Sequence, residues 1–316
     1  MLELRLNPLT GEWVIISSGR SSRPVLPENA CPLCPGVLEV EKDYDLVVFD
    51  NRFPSLTLNP PHPSEEKNNL MKERALGKCE VIMYTSKHDL SVSDMSENQL
   101  HKLVEVWCNR YNELSKIPDI KYIYIFENRG KEVGATLSHA HGQLYAFSYI
   151  PPRVERKVQQ LRGYYYENGR CSLCKLIEDL NEDIIIRENE SFFSFVPSYA
   201  RFPYEVHIYP KRHVSSITDL TGVEKRHLGN LILDTVRRYD NLFEEDFPYM
   251  MMLFNAPVNT EELYDEWFHF HIEFCPPKRS KDKIKWMASV ETGSWNFINP
   301  ADPENIAKQL KETEVD

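Results

Sequence analysis

The residues that carry the most chemistry in the shortest span of this chain are Ser138-His139-Ala140-His141-Gly142-Gln143. A neutral imidazole is a good nucleophile toward phosphorus near neutral pH, because its unperturbed pKa lies there. A side-chain amide next to it can donate hydrogen bonds to phosphoryl oxygens as their charge changes. On a β-strand, His139 and His141 would point to the same face. Two histidines so placed also suit a metal site, and we read one role for each. A loop-like segment, Asn128 to Gly134, precedes the run. An apolar strand, Leu144-Tyr145-Ala146-Phe147, follows it.

Four of the seven cysteines form two Cys-x-x-Cys pairs, Cys31/Cys34 and Cys171/Cys174. In a reducing compartment this spacing points to zinc or redox chemistry before structural disulfides. A redox pair normally opens a helix. The first pair instead lies in Ala30-Cys31-Pro32-Leu33-Cys34-Pro35-Gly36, a turn-rich loop, which favours metal. The second pair is also compatible with two thiols buried near a helix start.

The elements that must position these residues recur in one order. Val47 to Phe49, Cys79 to Tyr84 and Tyr122 to Phe126 read as strands. Between them, Ser96 reads as a helix N-cap with Gln99 as its capping-box partner, and Leu100, Leu103, Val104, Trp107 and Tyr111 form an apolar stripe. In the second half, Cys171/Cys174 answers Cys31/Cys34, and Phe192 to Val196 answers the strand at Val47. Glu205-Val206-His207-Ile208-Tyr209 answers Glu80 to Tyr84, and His213 answers His88. Leu228, Leu231, Ile232, Val236 and Tyr239 mark a second long helix. Tyr249 to Asn255 answers Tyr122 to Asn128, and Phe268-His269-Phe270-His271-Ile272-Glu273 answers Ser138 to Gln143. The shared order implies an internal duplication. We divide the chain at 1–165 and 166–316. The segment from about Pro60 to Lys72 reads as a polar loop.

If the copies superpose, Cys31, Cys34, His88 and His139 form one ligand set. Cys171, Cys174, His213 and His269 form the other. Two thiolates and two imidazoles make the closed tetrahedral shell of structural zinc, which positions residues and activates no water. His271 lies where His141 lies in the first half, but Ile272-Glu273 follows it in place of Gly-Gln. It reads as a relic.

At 316 residues and 41% apolar composition the chain can bury a sizeable core. A net charge of −11 argues against nucleic acid or an anionic membrane as partner, while local arginines can still hold a small phosphorylated substrate. Arg20 and Arg23 are candidates for that contact. The start, Met1 to Asn7, lacks signal-peptide character and no apolar run is long enough to span a bilayer, so the expected compartment is the cytoplasm.

Several motifs together resemble the galactose-1-phosphate uridylyltransferases, a branch of the histidine-triad nucleotidyltransferase superfamily. They are Asn7-Pro8-Leu9-Thr10-Gly11-Glu12-Trp13, Arg20 with Arg23-Pro24, the cysteine pair, Asn51-Arg52-Phe53-Pro54, Phe126-Glu127-Asn128 and His139-Ala140-His141-Gly142-Gln143. The resemblance covers nearly the whole chain. It implies an α+β fold of two tandem histidine-triad-like halves, antiparallel sheet with helices packed on it, and a homodimer. It implies a ping-pong transfer of UMP between UDP-glucose and galactose-1-phosphate, with His141 as nucleophile and Gln143 as hydrogen-bond donor. Arg20, Arg23, Asn51, Asn128, Gly134, Ala135 and Thr136 would hold nucleotide and phosphates. Lys285, Trp286 and Glu291 would touch the hexose at the partner chain's site. Some members of the family carry an iron-type second site of one Glu and three His. The matching positions here are Lys157, Phe254, His269 and His271, so zinc on the second cysteine pair is expected instead. The alternatives are an ADP-glucose phosphorylase, suggested by Phe297-Ile298-Asn299-Pro300, and a nucleotide-sugar-binding hydrolase.

Overall fold

The computed structural model describes residues 1–22, 31–37, 40, 42–64 and 70–315. Arg23 lies outside the described residues, and so does 65–69 of the polar loop. Within them the chain runs β1 (Leu2–Leu6), β2 (Trp13–Ser17), β3 (Val47–Asp50), β4 (Lys72–Arg74), β5 (Gly77–Met83), α1 (Glu97–Ser115), β6 (Tyr122–Arg129), β7 (His141–Phe147), α2 (Pro152–Asn168), α3 (Ser172–Glu178), β8 (Ile185–Glu188), β9 (Phe192–Phe195), β10 (Val206–Pro210), α4 (Gly222–Phe243), β11 (Tyr249–Phe254), β12 (His271–Cys275), β13 (Lys278–Ser280), β14 (Lys283–Ile284), α5 (Ser289–Ser294) and α6 (Pro303–Glu312).

One nine-stranded sheet organises the chain, in the order β3-β5-β7-β6-β11-β12-β10-β9-β8. Its pairings are antiparallel. The order β3-β5-β7-β6 returns in reverse as β11-β12-β10-β9, so the two halves meet back to back where β6 pairs with β11. The duplication expected from the sequence is thus a two-fold-like arrangement about one seam. The division between residues 165 and 166 falls inside α2.

The apolar stripes of α1 and α4 cover one face of this sheet. Leu100, Leu103, Val104, Trp107 and Tyr111 from α1, and Leu228, Leu231, Ile232, Val236 and Tyr239 from α4, are buried with Ile82, Ile125, Leu144, Ala146, Ile272 and Phe274. Gly229 lets the helices approach, since a Cβ there would lie 3.2 Å from the Leu100 backbone. Ser96 caps α1 by accepting from the Gln99 backbone N–H. The Gln99 side chain does not return to Ser96 as a capping box would. It donates to the Tyr84 carbonyl at 2.8 Å, tying the helix to the end of β5.

The opposite face is covered near its middle by α2, through Val154, Val158 and Leu161 against Tyr122, Phe147, Met252 and Phe254. The sequence reading placed no helix there. Pro152 sits in the first turn, where its fixed φ suits a helix and its missing N–H costs nothing. A small sheet, β2-β1-β4, lies beyond, and Glu3 of β1 accepts from Ser64. Around β7 and β6 this face carries His141, Gln143 and Asn128.

Candidate active site and metal centres

Strand β7 begins at His141, not at Ser138. His139 therefore precedes the strand, and the two histidines are not strand neighbours on one face. Along β7, His141, Gln143, Tyr145 and Phe147 alternate with Gly142, Leu144 and Ala146, which turn toward α1. His141 and Gln143 are half-buried. The His139 carbonyl accepts a hydrogen bond from His141 Nδ1 at 2.8 Å. This fixes the tautomer: Nδ1 carries the proton and Nε2 carries the lone pair.

The first metal set assembles as expected. Cys31, Cys34, His88 and His139 place one ligand atom each within 4.8 Å of one another. Sγ to Nδ1 distances are 3.8 Å for Cys31–His139, 3.7 Å for Cys34–His139 and 3.5 Å for Cys34–His88. A tetrahedral zinc with ordinary bond lengths spans S···N edges of about 3.5 Å. The Thr85 carbonyl accepts from His139 Nε2 at 2.8 Å, which leaves the Nδ1 lone pair facing the thiols. Burial, with His88 nearby, lowers the proton affinity of His139, although the Thr85 carbonyl opposes this. His139 is 0% exposed. It thus faces the thiol cluster with its ring and orients His141 with its carbonyl.

The second set repeats this. Cys171, Cys174, His213 and His269 also lie within 4.8 Å of one another. Sγ to Nδ1 distances are 3.9 Å for Cys171–His269, 3.5 Å for Cys174–His269 and 3.3 Å for Cys174–His213. His213 Nε2 donates to the Asp265 carbonyl at 2.9 Å and His269 Nε2 to the Pro210 carbonyl at 3.2 Å. Cys171 is the N-cap of α3 and Cys174 lies in its first turn, so the helix start and the ligand geometry coincide. The His269 carbonyl accepts from His271 Nδ1 at 2.8 Å, copying the His139–His141 contact.

Beyond that contact the halves diverge. Lys157 of α2 places Nζ 2.6 Å from His271 Nε2 and 3.4 Å from the Phe254 ring centre, and it pairs with Glu273. Burial and the Lys157 charge push His271 down to about 3, so it is neutral. Burial pushes Lys157 itself down to about 8, against the pull of Glu273. An ammonium thus occupies the place from which a substrate would meet His271. The nearby group Glu205, Glu273 and Cys275 is answered by Arg201, which donates to all three.

One sequence correspondence needs correction. Val81 lies opposite Gln143, and His207 lies opposite Glu273. His207 therefore answers Val81, and the matching of Glu205 to Glu80 is one residue out of register. A one-residue slip exchanges faces. Accordingly Glu80 pairs with Arg110 of α1 on one face, while Glu205 meets Arg201 on the other.

The anion-binding expectations divide. Arg20 donates to the Phe53 carbonyl, Ser55 Oγ at 2.9 Å and Tyr145 Oη at 3.2 Å, the next side chain after Gln143 on the same face. Asn51 heads that turn, its Oδ1 accepting from the Phe53 N–H. Asn128 lies two residues past Phe126, the β6 partner of Gln143, on the same face of the strand. Gly134, with φ +79°, Ala135 and Thr136 form the loop that carries the chain to His139. These residues gather about β7. Lys285 and Glu291 instead pair with each other at 2.8 Å, and Trp286 is 70% exposed on the surface. The reading missed the carbonyls of Thr85, Pro210, Asp265 and His139, because a backbone acceptor leaves no residue-type signal.

Residues 1–151 match the family described as galactose-1-phosphate uridyl transferase, N-terminal domain. Residues 131–288 match its C-terminal domain. The chain is 52% identical over 318 residues, all of both chains, to a galactose-1-phosphate uridylyltransferase of Thermotoga maritima. It is 27% identical to an ADP-glucose phosphorylase of Arabidopsis thaliana, over 99% of this chain and 93% of that one. Among solved structures, a uridylyltransferase superposes with a TM-score of 0.90 at 33% identity, covering 98% of each chain. The Arabidopsis thaliana ADP-glucose phosphorylase with bound ADP-glucose gives 0.78 at 26% identity, covering 100% of each.

Proposed function

The chain belongs to the galactose-1-phosphate uridylyltransferase family, and from that premise we propose that His141 is the nucleophile of its uridylyl transfer between UDP-glucose and galactose-1-phosphate. The observation that carries this reading is the 2.8 Å contact from His141 Nδ1 to the His139 carbonyl, which puts the ring proton on Nδ1 and the lone pair on Nε2, on the strand face that Gln143 shares. In the first step Nε2 attacks the α-phosphorus. A P–N bond forms, the bond to the bridging oxygen breaks, and glucose-1-phosphate leaves. In the second, a phosphate oxygen of galactose-1-phosphate attacks the same phosphorus and the P–N bond breaks, giving UDP-galactose. Both half-reactions pass through nearly the same arrangement, which suits one covalent intermediate in one pocket. Gln143 donates to the phosphoryl oxygens, and Arg20, Asn51, Asn128 and the Gly134–Thr136 loop hold nucleotide and phosphates. Arg23 is proposed from its motif alone.

The donor sets fit zinc in both halves, held by Cys31, Cys34, His88 and His139, and by Cys171, Cys174, His213 and His269. Such an ion supplies structural rigidity and no activated water. Lys285, Trp286 and Glu291 serve the hexose at the partner subunit's site, which makes the working unit a homodimer. The cytoplasm is the proposed compartment; among the described residues no helix is long and apolar enough to cross a membrane.

The test is to trap the intermediate. UDP-glucose or ADP-glucose labelled at the α-phosphate is mixed with the protein without acceptor, and acid-labile, base-stable label on the chain is measured. Label from UDP-glucose, absent in His141→Ala and discharged by galactose-1-phosphate, is the expected result. Label only from ADP-glucose, discharged by phosphate, would mean a phosphorylase. Steady release of nucleoside monophosphate without acceptor would mean a hydrolase.

A further inference from the structure

The back of the nucleophile's strand holds a buried polar cluster with no part in the reaction as described. Gly142 turns its missing side chain into the core, where a Cβ would lie 2.2 Å from Tyr84 Oη and 3.0 Å from Tyr84 Cζ. Tyr84 is 0% exposed and fills the space a side chain at 142 would take. On β6, one residue past Phe126, whose partner is Gln143, sits Glu127, also buried, whose Oε1 accepts from Tyr249 Oη at 2.8 Å. The Tyr84 hydroxyl and Glu127 Oε2 face each other, near enough for the hydroxyl to stabilise the carboxylate and for the carboxylate to raise the hydroxyl, but neither atom reaches a partner in full hydrogen-bond geometry among the described residues. The front-facing neighbours of these residues are Phe126 and Asn128 on β6 and His141 and Gln143 on β7. The cluster therefore lies directly behind the proposed site.

Burying a carboxyl and a hydroxyl without full satisfaction costs stability. The fold itself does not require them, because the second half provides an internal control. By strand register, Gly142 corresponds to Ile272, Glu127 to Leu253 and Tyr84 to Pro210. All three polar or permissive positions are apolar or closed in the half whose histidine is capped by Lys157. The cluster accompanies the competent histidine and is absent behind the silent one.

We infer that Tyr84 and Glu127 are positioning residues for nucleotidyl transfer, holding the His141–Gly142–Gln143 backbone from behind at the height the phosphoryl group requires. This rests on His141 as nucleophile. Tyr84 just past β5, Tyr249 from β11 and Arg129 from β6, itself paired with Asp240 of α4, are the ionisable groups that face Glu127. Burial pushes the Glu127 carboxyl up to about 7, so its proton occupancy changes across the working range.

The experiment compares Tyr84→Phe and Glu127→Gln with the full-length wild type, reading kcat, KM, the single-turnover rate of His141 labelling and the melting temperature. A displacement of the nucleophile by a fraction of an ångström should lower kcat and the labelling rate roughly tenfold or more. KM for both substrates should stay within about twofold and the melting temperature should change little. Glu127→Gln should also remove an inflection near neutral pH from the kcat profile. Gly142→Ala is expected to fold poorly. Pairing it with Tyr84→Leu relieves the overlap and should restore folding without restoring kcat. Wild-type kcat in Tyr84→Phe and Glu127→Gln, or recovery of kcat in the paired variant, would overturn the positioning role. Label that persists in His141→Ala would instead overturn the nucleophile assignment, so the two failures are distinct.

Discussion

A single peptide unit joins the proposed metal to the proposed nucleophile. His139 faces two thiols with Nδ1, and its own carbonyl holds His141 Nδ1 at 2.8 Å. The second half repeats the link from His269 to His271 but ends on an ammonium. The two clusters should therefore differ in what their loss does. Metal analysis should find about two zinc ions per chain. Cys34→Ser should remove one and lower kcat roughly 10- to 100-fold, the usual cost of disturbing a group that orients a site. Cys174→Ser should remove the other, lower the melting temperature and leave kcat nearly unchanged. Equal losses of kcat would break this distinction. Glu127 makes a second prediction at this scale. Its carboxyl is raised to about 7 in the fold from an ordinary 4.5, so the folded chain binds the proton more tightly than the unfolded one. The stability it contributes is full below pH 4.5 and is lost as pH rises toward 7, by about 3 kcal/mol at most. Urea unfolding at pH 5 and pH 8 should show that difference shrink in Glu127→Gln. The ligand residues were legible in the sequence because thiols and imidazoles at repeated spacing are rare. Tyr84 was not, because what marks it is burial against Gly142, far along the chain, and Glu127 entered only as part of a motif, with nothing in its residue type to show that it is buried behind β7.

The elements explain why two similar strands do different work. β7 and β12 occupy matching places in the sheet, yet α2 lies against the second and its Lys157 reaches His271 and Glu273. Glu273 also accepts from Arg153 and Arg201, so one buried carboxylate answers three cations. Burial works against its charge, but Lys157 and Arg153 hold it well below the usual carboxylate range. Removing that charge leaves the cations facing one another in a poorly hydrated site. Glu273→Gln should therefore cost about 3–5 kcal/mol in equilibrium unfolding, the scale seen when one partner of a buried pair is deleted. A loss below about 1 kcal/mol would mean that water screens the cluster. The long helices α1 and α4 were readable from their stripes, and their buried residues are the ones the spacing marked. α2 was not, since its apolar positions Val154, Val158 and Leu161 are sparse among Arg153, Glu155, Arg156, Lys157 and Arg162. The slip between Glu80 and Glu205 has a physical origin too. Glu-Val recurs within β5 and at the start of β10, but only pairing with the neighbouring strand reveals which face each residue takes.

At the scale of the whole molecule, one continuous sheet makes the halves a single body in which the first half carries the proposed nucleophile. Two tandem halves divided at 165/166 remain the proposed division; the strands of the two halves meet at the β6–β11 seam, and α2, which that boundary cuts, joins them. The hexose contacts bear directly on assembly. Lys285 and Glu291 spend their charges on each other, and Trp286 stands exposed beside Met287, which is 50% exposed, and Val290, which is 45% exposed. If these residues complete the site of a partner subunit, each active centre draws His141 from one chain and Lys285 from the other. Two inactive variants should then rescue one another. His141→Ala and Lys285→Ala chains, mixed 1:1 and allowed to exchange, would form heterodimers in which one of the two centres is intact. With random pairing, about a quarter of the wild-type transfer activity should return, because a two-fold dimer offers two composite sites. If instead each site is complete within one chain, every centre carries one lesion and mixing restores nothing. The amount recovered therefore measures directly whether the C-terminal segment acts in its own subunit or in its neighbour.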